Sequence, residues 1–200
     1  MTSEEKELAK SDIEEVEEPS DILNALMGPK EPRVVGIFGD IDEEKSSLAC
    51  ASLISFYKMA EDEPIEMFIS TNGGSADDMF AIVDTIKYLD SKGCEIHLIG
   101  IGKVMSAGVL ILASGTKGKR RIGPNTRLML HSVQGGTQGP YYNMKEDMAN
   151  MKKSQEHYAR ILCQETKMTM QEVRKVLNRK RDTYFTAHEA IEMGIADKIL

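Results

Sequence analysis

Ser106 lies in Gly102-Lys103-Val104-Met105-Ser106-Ala107-Gly108-Val109, where an apolar run ends and a serine flanked by small residues opens another. Read as a strand-to-helix turn, this segment points the hydroxyl away from the sheet and sets it at a helix N-terminus, which favours negative charge. An attacking alkoxide and a developing oxyanion need that help, and small neighbours let a substrate backbone approach. The competing reading is close helix packing through Ala107 and Gly108, and a motif this short does not exclude it. Asn72-Gly73-Gly74-Ser75 is similarly ambiguous. Its glycines serve either a turn of positive φ or a pair of backbone N–H groups facing a ligand oxygen. No Gly-Lys-Ser/Thr follows, so a nucleotide-phosphate loop is not indicated. Taken alone, the turn is the stronger reading.

Of the four histidines, His131 alone ends an apolar run, Arg127-Leu128-Met129-Leu130-His131. That position suits a base aimed into a cleft. His97 alternates with Ile96 and Leu98 and belongs on the Glu95 face of a strand. His157 sits among Gln155, Glu156 and Arg160 on a polar stretch. His188 falls in Thr186-Ala187-His188-Glu189, which reads as a capping box. Asp182, beside Thr183-Tyr184-Phe185, either orients a histidine or pairs with Arg181 on a solvated loop; by spacing alone the ion pair is favoured.

The elements that must position these groups alternate between the two periodicities. Strands are expected over 33–38, 65–70, 95–101 and 127–131. Helices are expected over 42–60, with Leu48, Leu53, Ile54 and Tyr57 on one face, and over 76–89, with Met79, Phe80, Val83, Ile86 and Leu89 on one face. Further helices are expected over 105–113, 143–165 and 169–177 and near His188, and a short one from Ser20-Asp21 to Met27 before Gly28-Pro29. Strands alternating with helices imply an α/β fold with active groups at strand ends. Residues 1–32 form an acidic segment with little to pack, and the folded body is expected over 33–200.

Charge sharpens the division. Residues 1–21 hold nine acidic side chains and two lysines, accounting for the whole net charge of −7. The neutral remainder offers no basic face, so nucleic acid is not an expected partner. No run of about eighteen apolar residues predicts a membrane span. The acidic start is unlike a secretory signal, and a cytoplasmic protein is expected. Cys50, Cys94 and Cys163 are scattered and odd in number. They predict reduced thiols, not a disulfide framework or a metal site.

Several stretches, in order, resemble the proteolytic subunits of Clp proteases over residues 33–200. They are Asn72-Gly73-Gly74-Ser75, Met105-Ser106-Ala107-Gly108, Ala113 to Arg120, Pro124 to His131, Gly135-Gly136-Thr137-Gln138-Gly139, and Arg181 to Ala187 running on to Asp197. The resemblance implies a crotonase-like (ββα) superhelical fold with a protruding helical handle, built from a glycine-rich strand and long helix over about 134–165. It implies Ser106 as nucleophile, His131 as general base and Asp182 as its orienting acid. Gly74 and Ala107 would supply the oxyanion-hole N–H groups. Heptameric rings stacked in pairs would enclose the sites, and an AAA+ Clp unfoldase would feed them unfolded polypeptide. ATP would be used by that partner, so no cofactor or metal is expected in this chain.

The chain departs from the family's usual pattern at four places: Ala107 where methionine is common, Asn72 for a proline, Ser132-Val133 for Gln-Pro, and Lys180 for an acid. The last two motivate a second reading, a non-catalytic or regulatory subunit of a mixed ring. A third, an acyl-CoA enzyme of crotonase type, shares the fold but requires no serine triad.

Overall fold

Alternating apolar positions set the first three strands side by side. In the computed structural model, which describes residues 32–200, β1 (Val34–Phe38), β2 (Ile65–Thr71) and β3 (Ile96–Met105) pair in parallel. β2 buries every second side chain, Ile65, Met67, Ile69 and Thr71. Two helices join these strands and pack on them: α1 (Glu43–Met59), capped by the Asp42 carboxylate on the Lys45 N–H, and α2 (Ala76–Asp90), capped by Ser75.

The core face of α1 differs from the expected one. Leu53 and Tyr57 are buried, but Leu48 is 67% exposed and Ile54 43%, while Ser46 and Ala49 turn inward. Leu53 and Tyr57 share their stripe with those two small residues, which let the helix lie close. α2 buries Met79, Ile82, Val83, Ile86 and Leu89 as a continuous stripe, leaving Phe80 partly buried beside it.

β3 runs four residues beyond its expected end. It pairs with β4 (Arg121–Ile122) at Ile99 and Gly100, then with β5 (Arg127–Leu130) at Lys103 to Met105. Gly102, at φ +65°, lies where the strand changes partners. The second pairing carries the chain directly to Ser106, which opens α3 (Ala107–Ala113), a helix buried on every side. Gly108 allows this packing, since a Cβ there would sit 2.4 Å from Thr71 Cγ2. The packing reading of Gly108 is therefore correct, whatever Ser106 does.

After β5 the expected glycine-rich strand is absent; residues 131–138 are irregular and lead into α4 (Tyr141–Glu165). The first ten residues of α4 are all exposed, whereas Tyr158, Ala159 and Leu162 are buried against the body. α5 (Met170–Leu177) and α6 (Ala187–Glu192) both begin with the full capping box, Thr169 with Glu172 and Thr186 with Glu189. Two strands too short to show a period, β6 (Thr183–Phe185) and β7 (Lys198–Ile199), complete the sheet by pairing with β5 and β4. The helix expected over 20–27 and the acidic segment lie outside the described residues. Among those described, Cys94 is buried, Cys50 and Cys163 are partly buried, and none is in a disulfide. No helix of the described residues is long and apolar enough to cross a membrane.

One buried charge cluster ties the C-terminus to the centre. Arg120, 4% exposed, donates from Nε and Nη2 to Asp197 at 2.9 and 2.6 Å, and from Nη1 to the carbonyls of Ala113 and Glu165. Burial alone would raise the Asp197 carboxyl, but hydrogen bonds from Arg120 and Gly118 outweigh it and hold its pKa below the ordinary value. A depressed folded pKa contributes stability that is complete above the unfolded value of about 3.9 and is lost as pH falls through the folded value. Asp197→Asn should therefore lower unfolding stability by about 3 kcal/mol at neutral pH, since it leaves Arg120 buried and uncompensated. In urea unfolding series, the gap between wild type and variant should be constant from pH 7 to 5 and close below pH 4. A gap that does not change with pH would show that the carboxylate charge is not what stabilises Arg120.

Candidate active site

Ser106 has φ 52° and ψ −117°, and is the sole non-glycine residue of positive φ among those described. Such a conformation costs on the order of 1–3 kcal/mol and persists only where surroundings enforce it. The enforcement is visible: the Ser106 N–H donates to the Met129 carbonyl at 2.8 Å, while its own carbonyl accepts from the Val109 N–H and the Tyr158 hydroxyl. A serine preceding a helix ordinarily turns its hydroxyl back to cap it. Ser106 does not. Its Oγ lies 2.8 Å from His131 Nε2.

Gly73 and Gly74 stand across from the serine. A Cβ on Gly73, at φ +106°, would lie 2.6 Å from Ser106 Cβ and 3.1 Å from its Oγ, so only glycine lets the two loops touch. Gly74 is braced from behind by Ile41, whose N–H donates to the Gly73 carbonyl and whose carbonyl accepts from Ser75. Those bonds leave the Gly74 N–H without a partner among the described residues. The Ala107 N–H, in the first turn of α3, is likewise unpaired, as the first N–H groups of any helix are.

These residues share one cavity of about 490 Å³, lined by Gly73, Gly74, Ser106, Ala107 and His131. Met79, Phe80, Tyr158 and Leu177 make its apolar side, and Asp40 and Asn72 stand at a polar edge, where Asn72 Nδ2 donates to the Asp40 carboxylate. Asp182 is not part of the lining. It is exposed and makes no hydrogen bond or ion pair among the described residues, with Arg181 or otherwise. His131 Nδ1 is buried and also without a partner among them. The antiparallel β5–β6 ladder ends with Leu130 opposite Thr183, the residues that adjoin His131 and Asp182 in the chain.

The remaining histidines stand where their local patterns put them. His97 Nε2 is 2.8 Å from Glu95, His157 packs edge-on against Phe80, and His188 lies within the α6 capping box. No cluster of three or more His, Cys, Asp or Glu that could hold a metal occurs among the described residues.

The family model described as Clp protease matches residues 15–200. The chain belongs to the Clp protease family. It is 34% identical to the ATP-dependent Clp protease proteolytic subunit 2 of Chlamydia pneumoniae over 187 residues, 92% of this chain and 87% of the relative. The protein of the same description from Chlamydia trachomatis serovar D matches at the same identity and coverage. The mixed α/β architecture, with its parallel sheet, is that of the Clp fold, and the chain is a peptidase of this family.

Sequence reasoning overlooked the α4 residues at this site. Tyr158 and Gln155 fall in a polar helix whose mean composition hides them, although Gln155, Tyr158 and Leu162 share one face at i, i+3 and i+7. Their spacing was the available signal.

The Gly73–Ser106 contact yields a direct test. Gly73→Ala places a methyl group against Ser106 Cβ in a backbone region that L-residues avoid, and should push Oγ away from His131. Peptide hydrolysis should fall by about 10²-fold or more, as expected for an ångström-scale misplacement of a reacting group. The far-UV circular dichroism should stay unchanged. Hydrolysis within twofold of wild type would mean that the loop moves freely and does not hold the serine.

Proposed function

We propose that this Clp-family proteolytic subunit is a serine endopeptidase in which Ser106 is the nucleophile. The observation that carries the reading is the 2.8 Å contact from Ser106 Oγ to His131 Nε2, made by a serine held at positive φ. A scissile peptide carbonyl enters the cavity with its oxygen toward the N–H groups of Gly74 and Ala107. Ser106 Oγ attacks the carbonyl carbon and its proton passes to His131 Nε2. Negative charge develops on the carbonyl oxygen, where the two N–H groups stabilise it. The protonated His131 gives its proton to the leaving amine, the C–N bond breaks, and an acyl-enzyme remains on Ser106. Water, deprotonated by His131, then releases the acid product and restores the hydroxyl.

Asp182 is the third member in this reading. It accepts from His131 Nδ1 once β6 and the loop before it draw inward, and so fixes the tautomer that leaves Nε2 free to take a proton. The end of the β5–β6 ladder at Leu130 and Thr183, next to both residues in the chain, supports this role. The subunit works in the cytoplasm within stacked heptameric rings, fed with unfolded polypeptide by an AAA+ Clp unfoldase that consumes the ATP. No cofactor takes part in the hydrolysis. The regulatory-subunit reading is disfavoured, since a subunit without chemistry gains nothing from a strained serine bonded to a histidine. The acyl-CoA reading finds no support in the family match.

Reaction with a fluorophosphonate probe, read by intact mass, tests the assignment. Wild type should gain one probe mass per chain at Ser106, and Ser106→Ala should gain none and lose peptide hydrolysis with its assembly unchanged. Peptide hydrolysis at the wild-type rate by Ser106→Ala would end the proposal. Asp182→Asn should retain labelling at a rate reduced by about 10²-fold or more. An undiminished rate would remove Asp182 from the triad.

A further inference from the structure

Both halves of the Ser106–His131 pair are tied to a single helix. Tyr158, 9% exposed, spans from α4 to the elbow and donates from its hydroxyl to the Ser106 carbonyl at 3.0 Å. Burial pushes its phenol far above the ordinary pKa, so it remains a neutral donor at every working pH. One turn earlier, Gln155 Oε1 accepts from the Val133 N–H at 3.0 Å, two residues after His131. Gln155 Nε2 reaches on to Asn178 Oδ1 at 3.4 Å, at the C-terminal end of α5.

These contacts act where the backbone has least support of its own. Ser106 is at an unfavourable φ, and the carbonyl held by Tyr158 belongs to the peptide unit whose N–H is that of Ala107. Rotating that unit turns the serine and the Ala107 donor together. On the other side, residues 131–138 have left β5 and pair with no strand. The Gln155 side chain is the one hydrogen bond found to the Val133 N–H, and it limits how far His131 can swing.

Resting on the reading of Ser106 as nucleophile, we infer that Tyr158 and Gln155 are positioning residues, through which α4 sets the distance and angle between Ser106 and His131. Neither touches a reacting atom in this role. Tyr158 orients the serine and the Ala107 N–H through the Ser106 carbonyl, and Gln155 restrains the histidine through Val133. A displacement of α4 by an ångström would separate the pair without unfolding the body.

Tyr158→Phe keeps the ring and removes only the hydroxyl. Gln155→Met keeps the length of a half-exposed side chain and removes the acceptor. The second-order rate of fluorophosphonate labelling and the kcat and KM for a short peptide should be measured for wild type, each variant and the double variant in the assembled protein. Each single change should slow labelling and kcat by about tenfold, with KM within twofold. Because both act on one distance, the double variant should lose clearly less than the product of the two effects. The Tm should fall by only about 2–4 °C. A single variant that labels at the wild-type rate, or effects that multiply fully, would overturn the inference while leaving Ser106 as nucleophile. Should Tyr158→Phe fail to fold, Gln155→Met decides alone by its own rate. Absence of labelling at Ser106 in wild type would instead remove the nucleophile reading, and this inference with it.

Discussion

A serine holds φ 52° only where its neighbours outweigh the steric penalty, and here three constraints converge on one peptide. β5 fixes the Ser106 N–H, Tyr158 and α3 hold its carbonyl, and Gly73 leaves room for its Cβ. Each answers a different degree of freedom: the position of the turn, the rotation of the following peptide, and the approach of the facing loop. The hydroxyl is consequently denied its usual place as a helix cap and is directed to His131. The N–H groups of Gly74 and Ala107, unpaired among the described residues, follow from the same arrangement, since the turn that exposes the hydroxyl also begins α3, and the Ile41 bridge engages the backbone on either side of Gly74.

The sheet makes this convergence through a change of partner along β3. Its first half lies between β2 and β4, its second between β2 and β5, and the crossover falls around Gly102. Extending the strand five residues past its pairing with β4 brings Met105 beside Met129. Ser106 and His131 then emerge from neighbouring parallel strands on the same side of the sheet. Parallel strands end together at their C-terminal edge, which is why two residues twenty-five positions apart meet without a long loop between them.

The sequence disclosed the elements with long periods and the residues with distinctive chemistry. β1, β2, α1, α2, α4 and α5 were legible because each repeats its pattern for two turns or more, or for several strand residues. The strands β4, β6 and β7 were not, since two or three residues cannot show alternation. The face of α1 misled for a related reason: Leu48 and Ile54 are large and apolar yet exposed, and the core prefers the close approach that Ser46 and Ala49 permit. At the site, Ser106, His131, Gly74 and Ala107 carried recognisable motifs, whereas the contribution of α4 depended on which face of a polar helix meets the body. That is decided by tertiary packing. The glycine-rich stretch before α4 was expected as a strand, but without a strand to pair with it is tied to α4 by side chains, Thr137 to Asp147 and Gln155 to the Val133 N–H just before it.

The unpartnered Nδ1 of His131 bears on how the site completes itself. In the proposed mechanism Nε2 accepts from the Ser106 hydroxyl, so the neutral imidazole carries its proton on Nδ1, which is buried and without a partner among the described residues. A buried donor without a partner costs about 1–3 kcal/mol, and the cost would rise in the imidazolium that the proposed mechanism forms. A carboxylate reaching Nδ1 would remove the first penalty and oppose the second, so its effect is greater in the transition state than at rest. On the proposed reading that place falls to Asp182, which directly precedes the Leu130–Thr183 pair that ends the β5–β6 ladder beside His131. In the proposed reading the shift falls on the three-residue β6 and the loop that precedes it. A strand of this length, held by few ladder hydrogen bonds, has little to lose by shifting, whereas the elbow at Ser106 is fixed from three sides. On the proposed reading the site therefore divides into a rigid half that holds Ser106 and a more compliant half that carries Asp182.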